Sequence, residues 1–206
     1  MTRPTLMLLR RATLSILAAA SLGGCAAMMV GGAIGTGMMV ADRRTAGAQV
    51  EDQSIELKAA TRIQDTVGDR GHINATSYNG TVLLTGEVPT EADRGAIEQA
   101  ISRVESVRWV VNELAVMPPT SLTDRSNDSF LTSKVKATFF DAKELQANTL
   151  KVVTERSTVF LMGRVTEREA SRAAQLARGV SGVKKVVRVF EILTEAELAD
   201  LGSKKT

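Results

Sequence analysis

The sequence predicts an α+β fold built from two tandem units. Each is an α-β-β-α-β sandwich, with two helices on one face of a three-stranded mixed sheet. Three observations predict it. A segment of about 65–70 residues occurs twice, with its pieces in one order. In the first copy an Asn79-Gly80 pair separates two strand-like runs, a strong two-residue hairpin signal. Apolar residues at helical spacing precede and follow each pair of runs.

The repeat sets the register of the two units. Val82-Leu83-Leu84-Thr85-Gly86-Glu87-Val88 matches Val159-Phe160-Leu161-Met162-Gly163-Arg164-Val165, and Ile73-Asn74-Ala75 matches Leu150-Lys151-Val152. One residue drops out where Pro89-Thr90 meets Thr166, after which Val104-Glu105-Ser106-Val107 matches Val180-Ser181-Gly182-Val183. At the front, Ile55, Ala59 and Ile63 match Leu131, Val135 and Phe139. Several segments in the same order with small indels make coincidence a poor explanation.

Each element then follows in order. Asp52 to Val67 carries apolar residues at 55, 59, 63 and 67, one side of a helix. Ile73–Tyr78 and Thr81–Val88 read as the hairpin strands. A second helix starts at Thr90-Glu91 and turns Ala92, Ala96, Ile97, Ala100, Ile101 and Val104 inward. Val107–Val116 closes the sheet. The second unit gives a helix over 128–140 with Asn127 or Asp128 as its cap, strands over 149–155 and 158–165, a helix over 167–179 and a strand over 183–192. Glu195 to Lys205 is a polar tail with room for one helical turn. The expected organisation is a leader over 1–24, a tether over 25–50, units over 51–117 and 126–193 with a linker over 118–125 between them, and a tail over 194–206.

The N-terminus is a separate device. Arg3, Arg10 and Arg11 precede an apolar run from Thr13 to Leu22, and small residues lead to Cys25, the only cysteine. This is a secretory signal layout, with a run too short to span a bilayer. The Leu22-Gly23-Gly24-Cys25 ending resembles the lipobox of bacterial lipoproteins. That resemblance implies cleavage before Cys25, a diacylglycerol on its sulfur and an acyl group on its new amino terminus, with no other cofactor. It also implies the outer membrane, because Ala26 rather than Asp follows the cysteine. Acylation would leave no thiol for a disulfide, a metal or nucleophilic chemistry. Ala26 to Ala41 is glycine-rich and apolar and reads as a membrane-hugging tether, which Asp42 to Gln49 continues as polar linker.

Aromatic residues make up only 3 % of the chain, so the cores must be aliphatic. Charge divides unevenly: residues 51–125 carry 7 basic and 12 acidic side chains, whereas residues 126–206 carry 14 basic and 10 acidic. The basic half would suit an anionic surface, and mutual attraction between two soluble domains accounts for the asymmetry equally well.

The α-β-β-α-β unit, with a glycine closing a Val-x-Leu-x-Gly strand and a Val-x-x-Val start to the last strand, resembles the BON domain. The second unit carries the closer match, through Ser126-Asn127-Asp128, Thr154-Glu155, Val159-Phe160-Leu161-Met162-Gly163 and Val165-Thr166-Glu167-Arg168-Glu169-Ala170. Two such units behind a lipobox are similar to dual-BON outer-membrane lipoproteins of Gram-negative bacteria. The resemblance covers about residues 15–193. It implies a lipid-anchored protein on the periplasmic face of the outer membrane that supports envelope integrity, at cell-division sites, and binds anionic phospholipid through the first helix of its second BON domain.

No catalytic or metal-binding constellation is expected. His72 is the only histidine, with no cysteine or second histidine beside it, and reads as a satisfied structural side chain. Ser126, Ser129 and Ser133 have no histidine in their own unit to act as base. The glycines of 31–37 lack the Lys-Ser/Thr of a phosphate loop, and Met28-Met29 and Met38-Met39 fit a greasy tether better than a copper site. Nothing points to nucleic acid.

One helix face does stand out. With Leu131, Val135 and Phe139 turned to the sheet, Phe130, Ser133, Lys134, Ala137, Phe140 and Asp141 fall on another stripe, bordered by Lys136. Phenylalanines beside lysines suit an anionic headgroup layer, and packing of Phe130 and Phe140 against the first unit is the competing use. Phe130, Ser133, Lys134, Lys136, Ala137 and Phe140 are therefore the candidate lipid-binding residues. The alternative function is an adaptor that docks onto envelope assembly proteins through the acidic first unit.

Overall fold

The computed structural model describes residues 42–203. The leader over 1–24, Cys25 and the tether through Ala41 lie outside the described residues, as does the end of the tail from Lys204. Among the described residues no helix is long and apolar enough to cross a membrane.

The first domain runs α1 (Ala46–Val67), β1 (His72–Tyr78), β2 (Thr81–Val88), α2 (Glu91–Ser102), β3 (Trp109–Asn112) and β4 (Ala115–Val116). The second runs α3 (Leu122–Asp141), β5 (Leu150–Glu155), β6 (Thr158–Val165), α4 (Glu167–Gly179) and β7 (Lys185–Ile192), followed by α5 (Glu195–Ser203). In each sheet the second strand is central. β2 is antiparallel to β1 and parallel to β3 and β4. β6 is antiparallel to β5 and parallel to β7. The α+β architecture with two mixed sheets is the one the repeat predicts.

Alternation along the central strands explains both faces. Val82, Leu84 and Val88 pack beneath α1 and α2 with Ile55, Ala59, Ile97 and Ile101. Val159, Leu161 and Val165 do the same beneath α3 and α4, against Leu131, Val135, Phe139 and the alanines 170, 173, 174 and 177. Leu83, Phe160 and Met162 point the other way. There the helix-free sheet faces meet, joined by Tyr78, Val111, Val153, Val187 and Val189. The near-continuous apolar run of β6 is thus the mark of a strand covered on both sides. Burial of Phe139 or Phe160 contributes about 1.5–3 kcal/mol each.

Ion pairs ring this seam. Lys151 Nζ lies 2.8 Å from Glu56 Oε1, and Arg156 Nη1 lies 2.8 Å from Glu87 Oε1. In both pairs the acid comes from the first domain and the base from the second, so part of the charge asymmetry serves the contact between domains.

Four sequence expectations need correction. The long helix of the second domain begins at Leu122 rather than at residue 128. Ser121 is its cap in a reciprocal capping box with Asp124, and Asp128 is a buried interior residue. The polar linker expected through Gln49 already enters α1 at Ala46, capped by Thr45. The closing strand of the first domain is broken between β3 and β4, where Leu114 turns into the core and Leu114 N–H donates to Asn112 Oδ1 at 3.2 Å. The tail helix α5 has 9 residues, more than one turn; Thr194 and Glu197 cap it.

Candidate functional site

α3 owes its orientation to residues that cannot face water. Leu131, Val135 and Phe139 repeat at four-residue spacing and are buried against the sheet. Asp128 lies on the same side. Its carboxylate accepts the backbone N–H of Arg156 at 2.7 Å and of Ser157 at 2.8 Å in the β5–β6 turn. These four residues fix the rotation of the helix, and that rotation sends Phe130 and Phe140 outward.

Phe130 is 69 % exposed and Phe140 65 %, so neither packs on the first domain. Leu122, newly placed within the helix, is 78 % exposed. At about 100° per residue the three fall in one arc of roughly 80°, opposite the buried side. Ser126, Ser133 and Ala137 lie within the same arc, and all are exposed. Leu122 and Phe140 are five turns apart, roughly 27 Å along the axis. The result is a row of three large apolar side chains spaced by small ones.

The lysines flank this row. Lys134 Nζ stands 5.9 Å from the centroid of the Phe130 ring and donates to the Ser181 carbonyl at 2.5 Å. That bond holds the ammonium over the loop after α4, at the mouth of a groove of about 660 Å³ between α3 and α4. Lys136 is exposed on the other flank, beside Phe140 and Asn148. The Ser133 hydroxyl donates to the Ser129 carbonyl of its own helix at 3.1 Å, so it adds small size rather than a free donor.

The equivalent helix of the first domain differs. Lys58 pairs with Glu105 at 2.9 Å, and Glu56 reaches Lys151 across the seam. Leu57 is exposed but has no aromatic neighbour on the helix. The two repeats share a fold and present different surfaces.

Sequence reasoning missed Leu122 because it started the helix too late. The signal was present as Ser121-x-x-Asp124, a capping pattern about two turns before the better-looking Asn127-Asp128.

Below the surface the seam holds a second polar cluster. His72 and Glu87 face each other across β1 and β2, and Glu155 ends β5 on the opposing sheet. Burial pushes the Glu87 carboxyl up, but Arg156, the Thr120 N–H and His72 outweigh it and hold the group below its ordinary range. Glu155 is pushed up by its own burial and by the nearby charge of Glu87. His72 Nδ1 is buried without a hydrogen-bond partner, so the histidine is not the satisfied side chain the sequence suggested.

Arg43 and Arg44, read from sequence as linker, form a strap. Arg43 is buried, donates twice to Glu169 at 2.7 Å and once to the Arg164 carbonyl at 2.8 Å. Arg44 stacks 4.2 Å from the Tyr78 ring centroid and bonds Asp52 at 2.7 Å. The chain therefore enters the first domain after docking on the second.

A BON-domain profile matches residues 51–118 and 127–194. The chain belongs to the BON-domain family, as a dual-BON outer-membrane lipoprotein of the DolP type. It is 40 % identical over 166 residues to outer membrane lipoprotein DolP of Haemophilus influenzae, covering 78 % of this chain and 86 % of that one. It is 33 % identical over 151 residues to a 21 kDa hemolysin of Actinobacillus pleuropneumoniae, covering 72 % and 78 %. Among solved structures, CdsD, a structural protein of the type III secretion system of Chlamydia trachomatis, covers 72 % of this chain and 97 % of its own, at 13 % identity and a TM-score of 0.29.

Proposed function

We propose that this BON protein is a non-enzymatic envelope lipoprotein that holds the membrane twice: through acyl chains on Cys25, and through the exposed face of α3. Phe130, Phe140 and Leu122 enter the interfacial layer, while Lys134 and Lys136 meet lipid phosphate. The carrying observation is the row itself, two phenylalanines and a leucine exposed on one side of a helix between two lysines, on one repeat and not the other. Each lysine at an anionic surface contributes about 1 kcal/mol, and one aromatic ring adds a comparable amount, so the face alone gives weak, reversible binding. Anchoring at Cys25 supplies the residence time and the periplasmic side; the face supplies preference for anionic lipid. Support of envelope integrity, at division sites, follows the family resemblance.

Co-sedimentation of residues 26–206 with vesicles tests the reading. Binding should be stronger to phosphatidylglycerol-containing vesicles than to phosphatidylcholine, and Phe130→Glu should reduce it at least about tenfold. Equal binding to both vesicle types, or no effect of Phe130→Glu, contradicts it.

A second reading rests on Trp109, 72 % exposed on the edge strand β3 beside Glu98, Ser102 and Arg108. An unpaired strand edge with an exposed indole suits an extended peptide of an envelope assembly protein. A pull-down that survives Phe130→Glu and fails with Trp109→Ala favours this adaptor role.

A further inference from the structure

The seam between the two sheets carries a cluster of ligand-type side chains that its ion pairs only partly satisfy. His72 and Glu87 are register partners on β1 and β2, and Glu155 closes β5 of the other domain. One donor atom from each lies within 4.8 Å of the others. Both carboxylates are deeply buried, Glu87 at 0 % and Glu155 at 4 % exposure.

The bonding around them is incomplete. Arg156 Nη1 takes Glu87 Oε1 at 2.8 Å and also the Gly86 carbonyl at 2.9 Å, and Glu87 Oε2 accepts the Thr120 N–H at 3.2 Å and the Thr120 hydroxyl at 3.3 Å, both long. Glu155 has a single long contact, from Asn74 Nδ2 at 3.5 Å. His72 Nδ1 lies 3.4 Å from Glu87 Oε2, outside hydrogen-bond geometry, and is buried without a partner. One guanidinium thus faces two buried carboxylates and a bare imidazole nitrogen, which leaves the cluster short of positive charge.

The 3.4 Å between His72 Nδ1 and Glu87 Oε2 fits two ligands of one ion better than a hydrogen bond, and a donor atom of Glu155 stands within 4.8 Å, close enough to join them by a side-chain shift. A charge-assisted imidazole–carboxylate bond would bring the atoms to about 2.7–2.9 Å. Ligands bound tetrahedrally at about 2.0–2.2 Å stand about 3.4 Å apart. One imidazole and two carboxylates, completed by water, make an open three-ligand site for a borderline divalent ion. The His72 side chain keeps 24 % exposure, which gives an ion a way in from solvent.

We propose that His72, Glu87 and Glu155 bind a divalent transition-metal ion of the zinc class, which ties the first BON domain to the second across their sheet faces. Arg156 keeps its bond to Oε1 of Glu87, and Oε2 takes the ion in place of the 3.3 Å bond from the Thr120 hydroxyl while keeping the Thr120 N–H. The ion would stabilise the two-domain arrangement rather than take part in any reaction.

Residues 26–206 contain both cores and the whole seam and lack Cys25, so a thiol cannot compete for metal. Zinc alone and cobalt(II) alone are titrated into this chelator-stripped protein by calorimetry, visible absorption and thermal unfolding. One ion should bind per chain, with a cobalt absorption band typical of four-coordination. At a hundredfold excess over Kd, zinc should raise Tm by roughly 5–10 °C. His72→Gln and Glu155→Gln should each weaken binding at least about a hundredfold and abolish the cobalt band. If either variant fails to fold, the wild-type stoichiometry and cobalt band, with the other variant, decide. No Tm shift with millimolar zinc overturns the proposal. So does binding unchanged in His72→Gln, which would place the ion elsewhere. A Glu155→Gln variant more stable than wild type, with wild type indifferent to zinc, also overturns it, because a proton rather than a metal would then neutralise Glu155.

Discussion

Asp128 accepts the backbone N–H of Ser157 at 2.8 Å, from a helix to a turn 29 residues away. Asp52 does the same in the first domain, accepting from Asn79 N at 2.7 Å and Gly80 N at 2.9 Å. In both repeats a buried aspartate staples the first helix to the tip of the β-hairpin. The second turn needs it more, because Arg156 and Ser157 both adopt positive φ, at 51° and 58°, without a glycine. Asp128→Ala should cost about 2–3 kcal/mol by chemical denaturation, with Asp128→Asn losing less. Since Asp128 also sets the rotation of α3, the same variant should weaken binding to anionic vesicles.

Stability should fall in acid, and Asp52 is one reason. Burial raises its pKa, but the Gly80 N–H, the Ser77 hydroxyl, Arg44 and the Asn79 N–H outweigh that and hold it below its ordinary value. Glu169 is likewise held low, by Arg43 first, then by Thr166, against an opposing push from burial. A depressed carboxylate adds stability above its unfolded pKa, and that stability is lost as pH falls through the folded value. Unfolding measured from pH 7 downward should therefore show stability declining below about pH 4–5. Asp52→Asn and Glu169→Gln should each flatten the slope.

The strap makes a separate claim. Arg43→Ala leaves Glu169 buried beside the α4 cap without its cation, and should cost about 3–5 kcal/mol. Proteolysis within 42–45 should be slow in the wild type and fast in this variant, because Arg43 binds the second domain 126 residues away.

Backbone crowding gives a sharper test at Gly86. A Cβ there would sit 2.0 Å from the His72 carbonyl oxygen, at a φ of +110°. Gly86→Ala should cost about 2–5 kcal/mol in denaturant. Gly95, in α2 with open space around it, should respond the other way and gain about 0.5–1 kcal/mol as Gly95→Ala.

The repeat made much of this legible in the residues. Ile55 and Ala59, and Leu131, Val135 and Phe139, are buried where their matched spacing put them. Asn79-Gly80 marks its hairpin, and Arg156-Ser157 is found as a turn only through alignment with it. What stayed hidden depends on partners distant in sequence. Arg43 looks like solvated linker until Glu169 arrives, and Asp128 looks like a cap until the turn at 156–157 folds against it. His72, without another ligand type nearby in the chain, gave no sign of Glu155, which reaches it only when the two sheets meet. Leu122 was lost with the true start of α3. The exposure of Phe130 and Phe140 was legible because it follows directly from which stripe of the helix is buried.

The proposed second hold on the membrane requires α3 to lie at the membrane surface. Trp109 is the only tryptophan, so a Trp109→Phe background is spectroscopically silent and accepts one reporter. Phe130→Trp in that background is mixed with phosphatidylglycerol vesicles carrying brominated acyl chains; Leu57→Trp, exposed on α1, is the matched control. The indole at position 130 should shift to shorter wavelength and be quenched, while the indole at position 57 should do neither. A bound protein whose position-130 indole stays unshifted and unquenched, or both indoles quenched alike, would contradict a membrane-facing α3.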